Sequence, residues 1–449
     1  MFPAQTSLIP ATVALIRFFE EKGLSAFSLN YPYWYLGSTP YRYLTGPITP
    51  IVVNFINNLL PFVSLFSILI SLVILSFVFS AIGWGILVKK ISGNKILAYG
   101  VALIFLILPG KYVTGLGLEE ATYTIARNLL PFFFIFVFDK KKILSILCLS
   151  LILLINTGIL IQVFVGIGAI SLNFKYLKRN LLIIVGSLIV VTIWYTPGYW
   201  FTTLFNPSIG GLSAGKLFLR IFELARSLLP ILLAFFMVRA GKVKRTVLEK
   251  FGLIWLGIFT FLTLYRFIAD YNFWSDWTAW IPELEIGFAI MAVHLFRSRK
   301  FKYIFLLSVI VLIPSWMVLD KIPLTSLISS DPPKIYNSLT EVSKIAENKT
   351  VFLSGTTVFW ANALYDIRQV RGGRDQFAVH PTWDKASYEL REGTEAEKTQ
   401  DWLTKLNIGY VLVHTESSEE YYHDFENIGK WFNLGEKIYE DNGDFILKI

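Results

Sequence analysis

Residues 62–95 read FVSLFSILISLVILSFVFSAIGWGILVKKISGNK. The apolar run before Lys89 is long enough to cross a bilayer as one helix, and a group of lysines follows it. The same pattern recurs downstream, where basic clusters at 89–95, 140–142, 175–179, 239–250 and 297–302 each separate two apolar segments. The loops between these clusters are aromatic and carry carboxylates. This alternation is typical of a polytopic membrane protein whose basic turns are cytoplasmic.

The predicted fold is an α-helical membrane bundle of about ten spans with a small α/β domain at its C-terminal end. The predicted spans cover residues 62–88, 96–110, 123–138, 143–155, 159–172, 181–201, 222–238, 251–268, 281–296 and 303–319. Several of them are short enough to pack inside the bundle rather than face lipid.

Charge is divided unevenly along the chain. Residues 331–449 carry 13 Lys and Arg against 20 Asp and Glu, whereas residues 1–330 carry 28 against 12. The net charge of +9 therefore comes from turns that face anionic lipid, and we expect membrane lipids and no nucleic acid as partners. A hydrophobic content of 54% also exceeds that of ordinary soluble domains. The single cysteine, Cys148, excludes a disulfide framework.

Three regions follow from this pattern. Residues 1–61 are predicted to form an extracytoplasmic loop with an interfacial helix at 7–22 and a second interfacial or re-entrant segment at 48–61. Residues 62–329 form the transmembrane bundle, and residues 330–449 form the extracytoplasmic domain. The expected location is the plasma membrane, crossed several times, with the C-terminal domain outside the cytoplasm.

The C-terminal domain shows short strand and helix signals. Strands are predicted at 351–354 and 410–414, and a helix at 394–406. A second helix is predicted at 418–432 with Ser418 as its N-cap. A hairpin is predicted from 435 to 449 around Asp441-Asn-Gly443.

The first outside loop, residues 29–47, reads LNYPYWYLGSTPYRYLTGP. Its rings at Tyr33, Trp34 and Tyr35, held by Gly and Pro turns, are suited to stacking on sugar rings or lipid headgroups. They are equally suited to an aromatic belt at the membrane interface.

This loop, preceded by two consecutive acids after an amphipathic helix, resembles that of the type C glycosyltransferase superfamily. Two tail stretches are similar to its archaeal and bacterial members with an α/β outside tail. They are Phe359-Trp-Ala-Asn-Ala-Leu364 with Gln369-Val-Arg-Gly-Gly373, and Asp401-Trp-Leu403 with Leu406-Asn-Ile-Gly-Tyr410.

The resemblance implies transfer of a sugar from a polyprenyl-phosphate donor on the outer face of the membrane. A carboxylate on an outside loop would act as general base or hold a divalent metal, Mg²⁺ or Mn²⁺, against the phosphate. Arginines would neutralise the departing phosphate. The implied partner is a lipid-linked sugar donor.

The chain departs from this family at its beginning. Such enzymes carry an Asp shortly after the first span, whereas residues 1–10 read MFPAQTSLIP. Either the acid is lost or it lies upstream of the recorded start. Glu20 and Glu21 are the nearest carboxylates and are candidate catalytic groups, or else a solvated helix end before Gly23.

The second outside loop carries Glu119 and Glu120, where the family often places a further acid. The competing interpretation is that both carboxylates simply favour a helix N-terminus. Arg127 follows within an apolar stretch, where an ionisable residue is a functional candidate. Its expected partner is Glu119, Glu120 or a lipid phosphate.

A third group follows at 266–285. Arg266 and Asp270 are spaced to pair on one helix face, Asp276 lies further along, and Glu283 and Glu285 enter the next span. The functional hypothesis is an acceptor or phosphate pocket with Arg266 on the phosphate. The alternative is structural ion pairing.

The tail contributes Arg371, Arg374, Asp375 and Trp383 near Gly372-Gly373. Arginines beside glycines can hold an anion or contact substrate. The alternative is a turn-rich loop packed against the rest of the protein.

Two other function classes remain open at this stage. A non-catalytic member would serve as a scaffold or glycan-binding subunit, because the missing N-terminal acid would mean lost chemistry. A transporter is less favoured, since no internal repeat is visible.

Overall fold

The computed structural model describes residues 1–37, 39–170, 174–205, 246–269, 277–299, 301–374, 378 and 382–449. The chain divides into two compact units. Unit 1 comprises Met1–Leu69, Trp194–Phe218 and Ile328–Ile449, and unit 2 comprises Ile70–Ile193 and Leu219–Leu327. The N-terminal segment and the tail therefore belong to the same unit.

Helices make up most of the described chain. In the first half they are α1 (Ile9–Lys22), α2 (Tyr41–Leu44), α3 (Ile48–Leu59), α4 (Leu65–Ser92), α5 (Lys95–Ile107), α6 (Gly110–Gly117), α7 (Ala121–Phe138), α8 (Lys142–Ile155), α9 (Leu160–Ile170), α10 (Phe174–Val191) and α11 (Pro197–Phe205). In the second half they are α12 (Val247–Ala269), α13 (Ile281–Arg297), α14 (Phe301–Lys321), α15 (Tyr336–Ala346), α16 (Thr357–Leu364), α17 (Trp383–Arg391) and α18 (Ala396–Lys405).

Five of the described helices, α4, α7, α12, α13 and α14, are long and apolar enough to cross a membrane. The pair α5 and α6, bent by 52° at Pro109, makes a sixth candidate. The fold class is thus a helical membrane protein with a small C-terminal sheet domain, and the prediction of about ten spans is not confirmed. Two of the predicted spans correspond to α8 and α9, which have only 14 and 11 residues and are therefore too short to cross a membrane alone.

Two other predicted spans also differ from the structure. The span at 181–201 is wrong, since α10 ends at Val191 and α11 begins at Pro197. A residue before proline is disfavoured in helical backbone, so Thr196 marks the break. The span at 222–238 lies outside the described residues.

The predicted hairpin at 143–172 is confirmed over its described residues. A 3₁₀ turn at Thr157–Ile159 joins α8 to α9. The Asn156 side chain accepts a hydrogen bond from the backbone N–H of Gly158 at 2.8 Å, which caps this turn.

Two side-chain contacts join helix ends that the sequence assigns to the cytoplasmic side. Lys90, near the end of α4, lies 2.8 Å from Asp139 at the end of α7. His294 in the last turn of α13 lies 3.7 Å from Glu249 in the first turn of α12. Within unit 2 these contacts join neighbouring helix ends, and the membrane topology stays a prediction.

Within unit 1 the N-terminal segment is tied to the tail. Strand β1 (Phe2–Pro3) pairs antiparallel with β2 (Ile328–Ser329). Helix α1 packs on α16, and from Ile9 to Phe19 every residue except Arg17 is buried. By contrast, α3 leaves Phe55 and Leu59 more than 60% exposed. The interfacial position of these helices stays a prediction.

The tail is built on a four-stranded sheet. Its strands are β3 (Thr350–Phe352), β4 (Ile408–His414), β5 (Glu436–Asp441) and β6 (Asp444–Lys448), in the order β3-β4-β6-β5. The β3–β4 pair is parallel and the other pairs are antiparallel. The predicted strands, the C-terminal hairpin and the helix at 394–406 are confirmed, the helix as α18.

The predicted helix at 418–432 is wrong. Only a 3₁₀ helix, Ile428–Asn433, forms there. Ser418 caps no helix: its hydroxyl accepts the backbone N–H of Glu420 at 3.0 Å in a local turn and donates to Asp444 at 2.5 Å. Glu420 is held by the backbone N–H and hydroxyl of Thr356, at 2.7 Å each. These long-range hydrogen bonds fix the segment as an irregular loop.

Candidate functional site

An ionisable cluster lies inside unit 2, where α7 begins. Arg127, two turns into α7, donates through Nη1 to Oε1 of Glu119 at 2.7 Å. Thr124 donates to the other oxygen of Glu119 at 2.9 Å. The Arg127 side chain is 2% exposed, so the pair is screened from water. The sequence named Glu119 among the candidate partners of Arg127, and the structure brings the two together.

Glu283 adds a second carboxylate to the cluster. It lies in the first turn of α13, fully buried, and interacts electrostatically with Arg127. Gln162 of α9 donates through Nε2 to Glu283 at 2.9 Å and to the Tyr123 hydroxyl at 2.7 Å. The Arg127 guanidinium also lies over the Tyr123 ring, 5.4 Å from its centroid. Three helices therefore supply the polar groups of this cluster.

Several polar atoms of the cluster have no hydrogen-bond partner among the described residues. They are Nε and Nη2 of Arg127, Oε2 of Glu283 and Oε1 of Gln162. Leaving a buried donor or acceptor unpaired costs about 1–3 kcal/mol each. Nε–H and Nη2–H share one edge of the guanidinium, and this edge matches two oxygens of a phosphate or carboxylate. The arrangement can therefore receive an anion beside a carboxylate.

Glu120 belongs to a neighbouring hydrogen-bonded group. Its Oε2 accepts from the hydroxyl of Thr122 at 3.2 Å and from Nδ2 of Asn156 at 3.4 Å. Asn156 also donates to the Thr122 hydroxyl at 2.9 Å. Glu120 occupies the N-cap position of α7 without making a side-chain cap bond. The α7 start is thereby linked to the turn between α8 and α9.

Glu285 has a different role, at the bend between α5 and α6. Its two carboxylate oxygens accept the backbone N–H groups of Gly110 at 2.6 Å and Lys111 at 3.0 Å, so it caps the N-terminus of α6. A Cβ on Gly110 would collide with the side chains of Ile281 and Glu285, so any larger residue at this position would displace them. Glu285 is accordingly a structural carboxylate.

Sequence reasoning missed Lys111. It is fully buried, and its ammonium group donates to the carbonyls of Phe105 and Leu108 and lies 4.0 Å from the Tyr112 ring centroid. These contacts satisfy carbonyl groups left free where α5 ends. The signal was available, since a lysine in an apolar segment needs a partner. Gln162 and Tyr123 gave no comparable signal because neutral residues are common in such helices.

The first-loop aromatics pack on the tail turn within unit 1. Trp34 and Tyr35 are buried, and side chains added at Gly372 or Gly373 would clash with them. The Arg374 backbone N–H donates to the Tyr35 hydroxyl at 2.8 Å. This packing explains the two adjacent glycines.

The other tail candidates have structural contacts. Arg371 donates to the Ser354 hydroxyl at 2.8 Å and to Asp424 at 3.3 Å. Burial raises the pKa of Asp424, but the Ser354 hydrogen bond and the arginines outweigh it, so that the pKa is lowered. Trp383 is buried at the first position of α17.

Of the remaining candidates, Glu20 and Glu21 lie at the end of α1 in unit 1, whereas Glu119 and Glu120 belong to unit 2. Burial raises the pKa of Glu20, although the Asn57 amide, which donates to it at 2.6 Å, opposes that shift. Arg266 lies in the last turn of α12. Asp270, Asp276 and Asp375 lie outside the described residues.

The residues described here do not fit a resident metal. They contain no group of three His, Cys, Asp or Glu side chains placed to hold an ion. Both oxygens of Glu119 and of Glu285 are engaged by hydrogen-bond donors, and Glu283 lies beside a cation. Mg²⁺ or Mn²⁺ stays a prediction, and no step below passes through a metal.

Solved structures of oligosaccharyltransferases resemble this chain. The apo crystal structure of the Archaeoglobus fulgidus oligosaccharyltransferase covers 95% of this chain and 68% of its own length, at 13% identity and a TM-score of 0.50. The archaeal oligosaccharyltransferase AglB from Archaeoglobus fulgidus, in complex with an inhibitory peptide and a dolichol-phosphate, covers 90% of this chain and 65% of its own, at 12% identity and a TM-score of 0.45. This chain thus spans about two thirds of the length of these proteins.

No profile of a known family matches the sequence, and no curated protein matches it. The likeness is therefore one of fold. It agrees with the fold predicted from the sequence, a helical membrane protein with a small α/β tail.

Proposed function

We propose that the protein transfers a sugar from a polyprenyl-phosphate-linked donor on the outer face of the membrane. The observation that carries this proposal is the unpartnered Nε–Nη2 edge of Arg127, buried beside Glu283. A fold by itself supports many functions, so the proposal depends on this local chemistry within a glycosyltransferase-like fold.

Arg127 binds the donor phosphate in this mechanism. Glu119 occupies Nη1 and holds the guanidinium, which leaves the Nε–Nη2 edge for two phosphate oxygens. Because Arg127 and Glu283 are buried, the charge–charge attraction is stronger than in bulk water and grows as negative charge develops on the leaving phosphate. Glu119 is a positioning residue here, since both of its oxygens are already engaged.

Glu283 accepts the proton of the acceptor. The acceptor heteroatom attacks the anomeric carbon, the bond from that carbon to the phosphate oxygen breaks, and the lipid phosphate leaves. The acceptor proton moves to Oε2 of Glu283, which has no described hydrogen-bond partner. Gln162 fixes the other oxygen, while the Trp255 indole N–H holds the Glu283 carbonyl at 3.0 Å.

Access to this cluster requires movement, because Arg127 and Glu283 are both buried. The helix starts that contribute Glu119, Gln162 and Glu283 must separate for a phosphate to enter. The outer-face assignment rests on the charge alternation, which places these helix ends opposite the basic turns. Roles for Glu20, Glu21, Arg266 and the aromatic loop stay predictions.

The test combines donor binding with transfer by the purified protein in lipid nanodiscs. A panel of polyprenyl-phosphate sugars is titrated, and products are identified by mass spectrometry. Arg127→Lys keeps the charge but removes the bidentate edge, so we expect donor affinity to fall about tenfold or more. Arg297→Lys, at the exposed end of α13, is the matched control.

Binding and transfer lost in Arg127→Lys but kept in Arg297→Lys support the proposal. Binding without transfer in the wild-type protein favours the non-catalytic scaffold or glycan-binding subunit instead. Equal donor affinity in the wild-type protein and in Arg127→Lys would mean that Arg127 does not bind the donor phosphate.

A further inference from the structure

Unit 1 contains a cavity that the proposed transfer reaction does not use. Its volume is about 400 Å³, within the range of small-molecule sites. Rings of Phe18, Tyr31 and Tyr33 line it, together with the carboxylates of Glu20, Glu21 and Asp366. It is thus formed where α1 and the first loop meet the residues that follow α16.

Hydrogen bonds fix the walls of this cavity. Arg17 of α1 donates to the Asn362 carbonyl at 2.9 Å and lies 3.3 Å from Asp366. The Tyr33 carbonyl accepts from the Gln369 backbone N–H at 2.8 Å. A site held in this way loses little freedom when a ligand binds.

The charges around the cavity nearly cancel. Asp366 is paired with Arg17, and Glu21 lies 2.5 Å from Lys22. Glu20 accepts from the neutral amide of Asn57. With two cations against three carboxylates, the walls attract a polycation only weakly, but they offer several acceptors for hydroxyl groups.

The unpaired hydroxyl of Tyr31 indicates that a ligand of this cavity is polar. Tyr31 is fully buried, and its hydroxyl has no hydrogen-bond partner in the described part of the chain. Its ring packs edge-on against Phe18 and Tyr33, with centroids 5.3 and 5.5 Å away. A buried hydroxyl without a partner is costly, so a ligand hydroxyl that reaches it would be bound favourably.

We propose that this cavity binds one hexopyranose unit of a glycan. Aromatic rings offer faces to the apolar side of a sugar ring, and the carboxylates and the Tyr31 hydroxyl bind its hydroxyl groups. This goes beyond the proposed transfer, because binding here needs neither a lipid donor nor Arg127.

Saturation-transfer NMR on the full chain in nanodiscs tests the proposal, with methyl hexopyranosides and a disaccharide series as probes. Tyr31→Phe removes only the unpartnered hydroxyl, and we expect it to weaken saccharide binding about fivefold. Tyr388→Phe, on an exposed tyrosine of α17, is the matched control and should leave binding unchanged.

Saccharide binding that weakens in Tyr31→Phe and persists in Arg127→Lys supports the proposal, even if transfer is never detected. No binding of any saccharide overturns it, as does equal binding by wild type and Tyr31→Phe. Spermine binding that displaces the saccharides and is lost in Glu20→Gln would make the cavity a cation site instead.

Discussion

Buried carboxylates occur in both units, but their oxygens are used differently. In the tail, Asp444 accepts from His414 at 2.8 Å and from Ser338 and Ser418 at 2.5 Å each, so both oxygens are engaged. In unit 2, Glu283 keeps one oxygen without a described partner, and Arg127 keeps two such N–H groups. Burial of charge is common to both clusters, whereas a carboxylate oxygen without a described partner distinguishes the second; in the tail cluster the atom without one is Nε2 of His414.

This difference separates a structural role from a binding role. A saturated carboxylate stabilises the segments that it joins and has little capacity left for a ligand. The unpaired oxygen of Glu283 and the unpaired N–H edge of Arg127 retain that capacity. The predictions below test whether the two clusters differ in this way.

The largest effect is expected for Arg127→Met. It leaves Glu119 buried without its cation, which should destabilise the protein by about 3–5 kcal/mol. Thermal unfolding in detergent measures the loss. The double variant Arg127→Met/Glu119→Gln should recover part of it, and an unchanged midpoint in the single variant would mean that the pair is not buried as described.

Asp444→Asn should have the next largest effect. It weakens charge-assisted hydrogen bonds to His414, Ser338 and Ser418 and should destabilise the tail by about 1.5–3 kcal/mol. Hydrogen exchange of the β4 and β6 amides measures this loss. Donor binding should not change, and a change would show that the tail cluster is more than structural.

The stability of the tail should also depend on pH. Burial raises the pKa of Asp444, but its hydrogen bonds outweigh burial, so the pKa in the folded protein lies below its ordinary value. The stabilisation that Asp444 contributes is therefore lost as the pH falls through this folded pKa. Burial lowers the pKa of His414, but Asp444 and Glu420 outweigh burial, so the pKa in the folded protein lies above its ordinary value. The stabilisation that His414 contributes is therefore lost as the pH rises through this folded pKa. Both contributions are fully present between the ordinary values of 3.8 and 6.5. Hydrogen exchange across this range should show a maximum of protection there, and a flat profile would contradict it.

The smallest effect is expected for Lys90→Ala. Lys90 and Asp139 are partly exposed, and such pairs contribute within about 0.5 kcal/mol. Thermal unfolding of this variant should match the wild-type protein. A loss of stability as large as that of Arg127→Met would mean that exposed and buried ion pairs contribute equally to stability in this protein.

Hydropathy and charge predicted the strongest helices well. The predicted span at 281–296 is α13, Ile281–Arg297, and that at 62–88 corresponds to α4, Leu65–Ser92. The prediction of a helix at 418–432 was wrong because the conformation of this segment is set by hydrogen bonds to residues distant in sequence, such as Thr356 and Asp444. Local propensity carries no information about such contacts.

The candidate site was predictable in part. Glu119 and Arg127 are eight residues apart, and a charge in an apolar helix is conspicuous. Gln162 was missed because it is neutral and lies 121 residues from Glu283. Its position becomes meaningful only once α9 and α13 are seen together.

The cap on α6 has a consequence for biosynthesis. Glu285 lies 175 residues after Gly110, so the ribosome must reach the first turns of α13 before the N-terminus of α6 acquires its carboxylate. At translation rates of roughly 5–20 residues per second, this interval is on the order of ten to thirty seconds. During that time the backbone N–H groups of Gly110 and Lys111 lack the carboxylate that binds them in the folded protein.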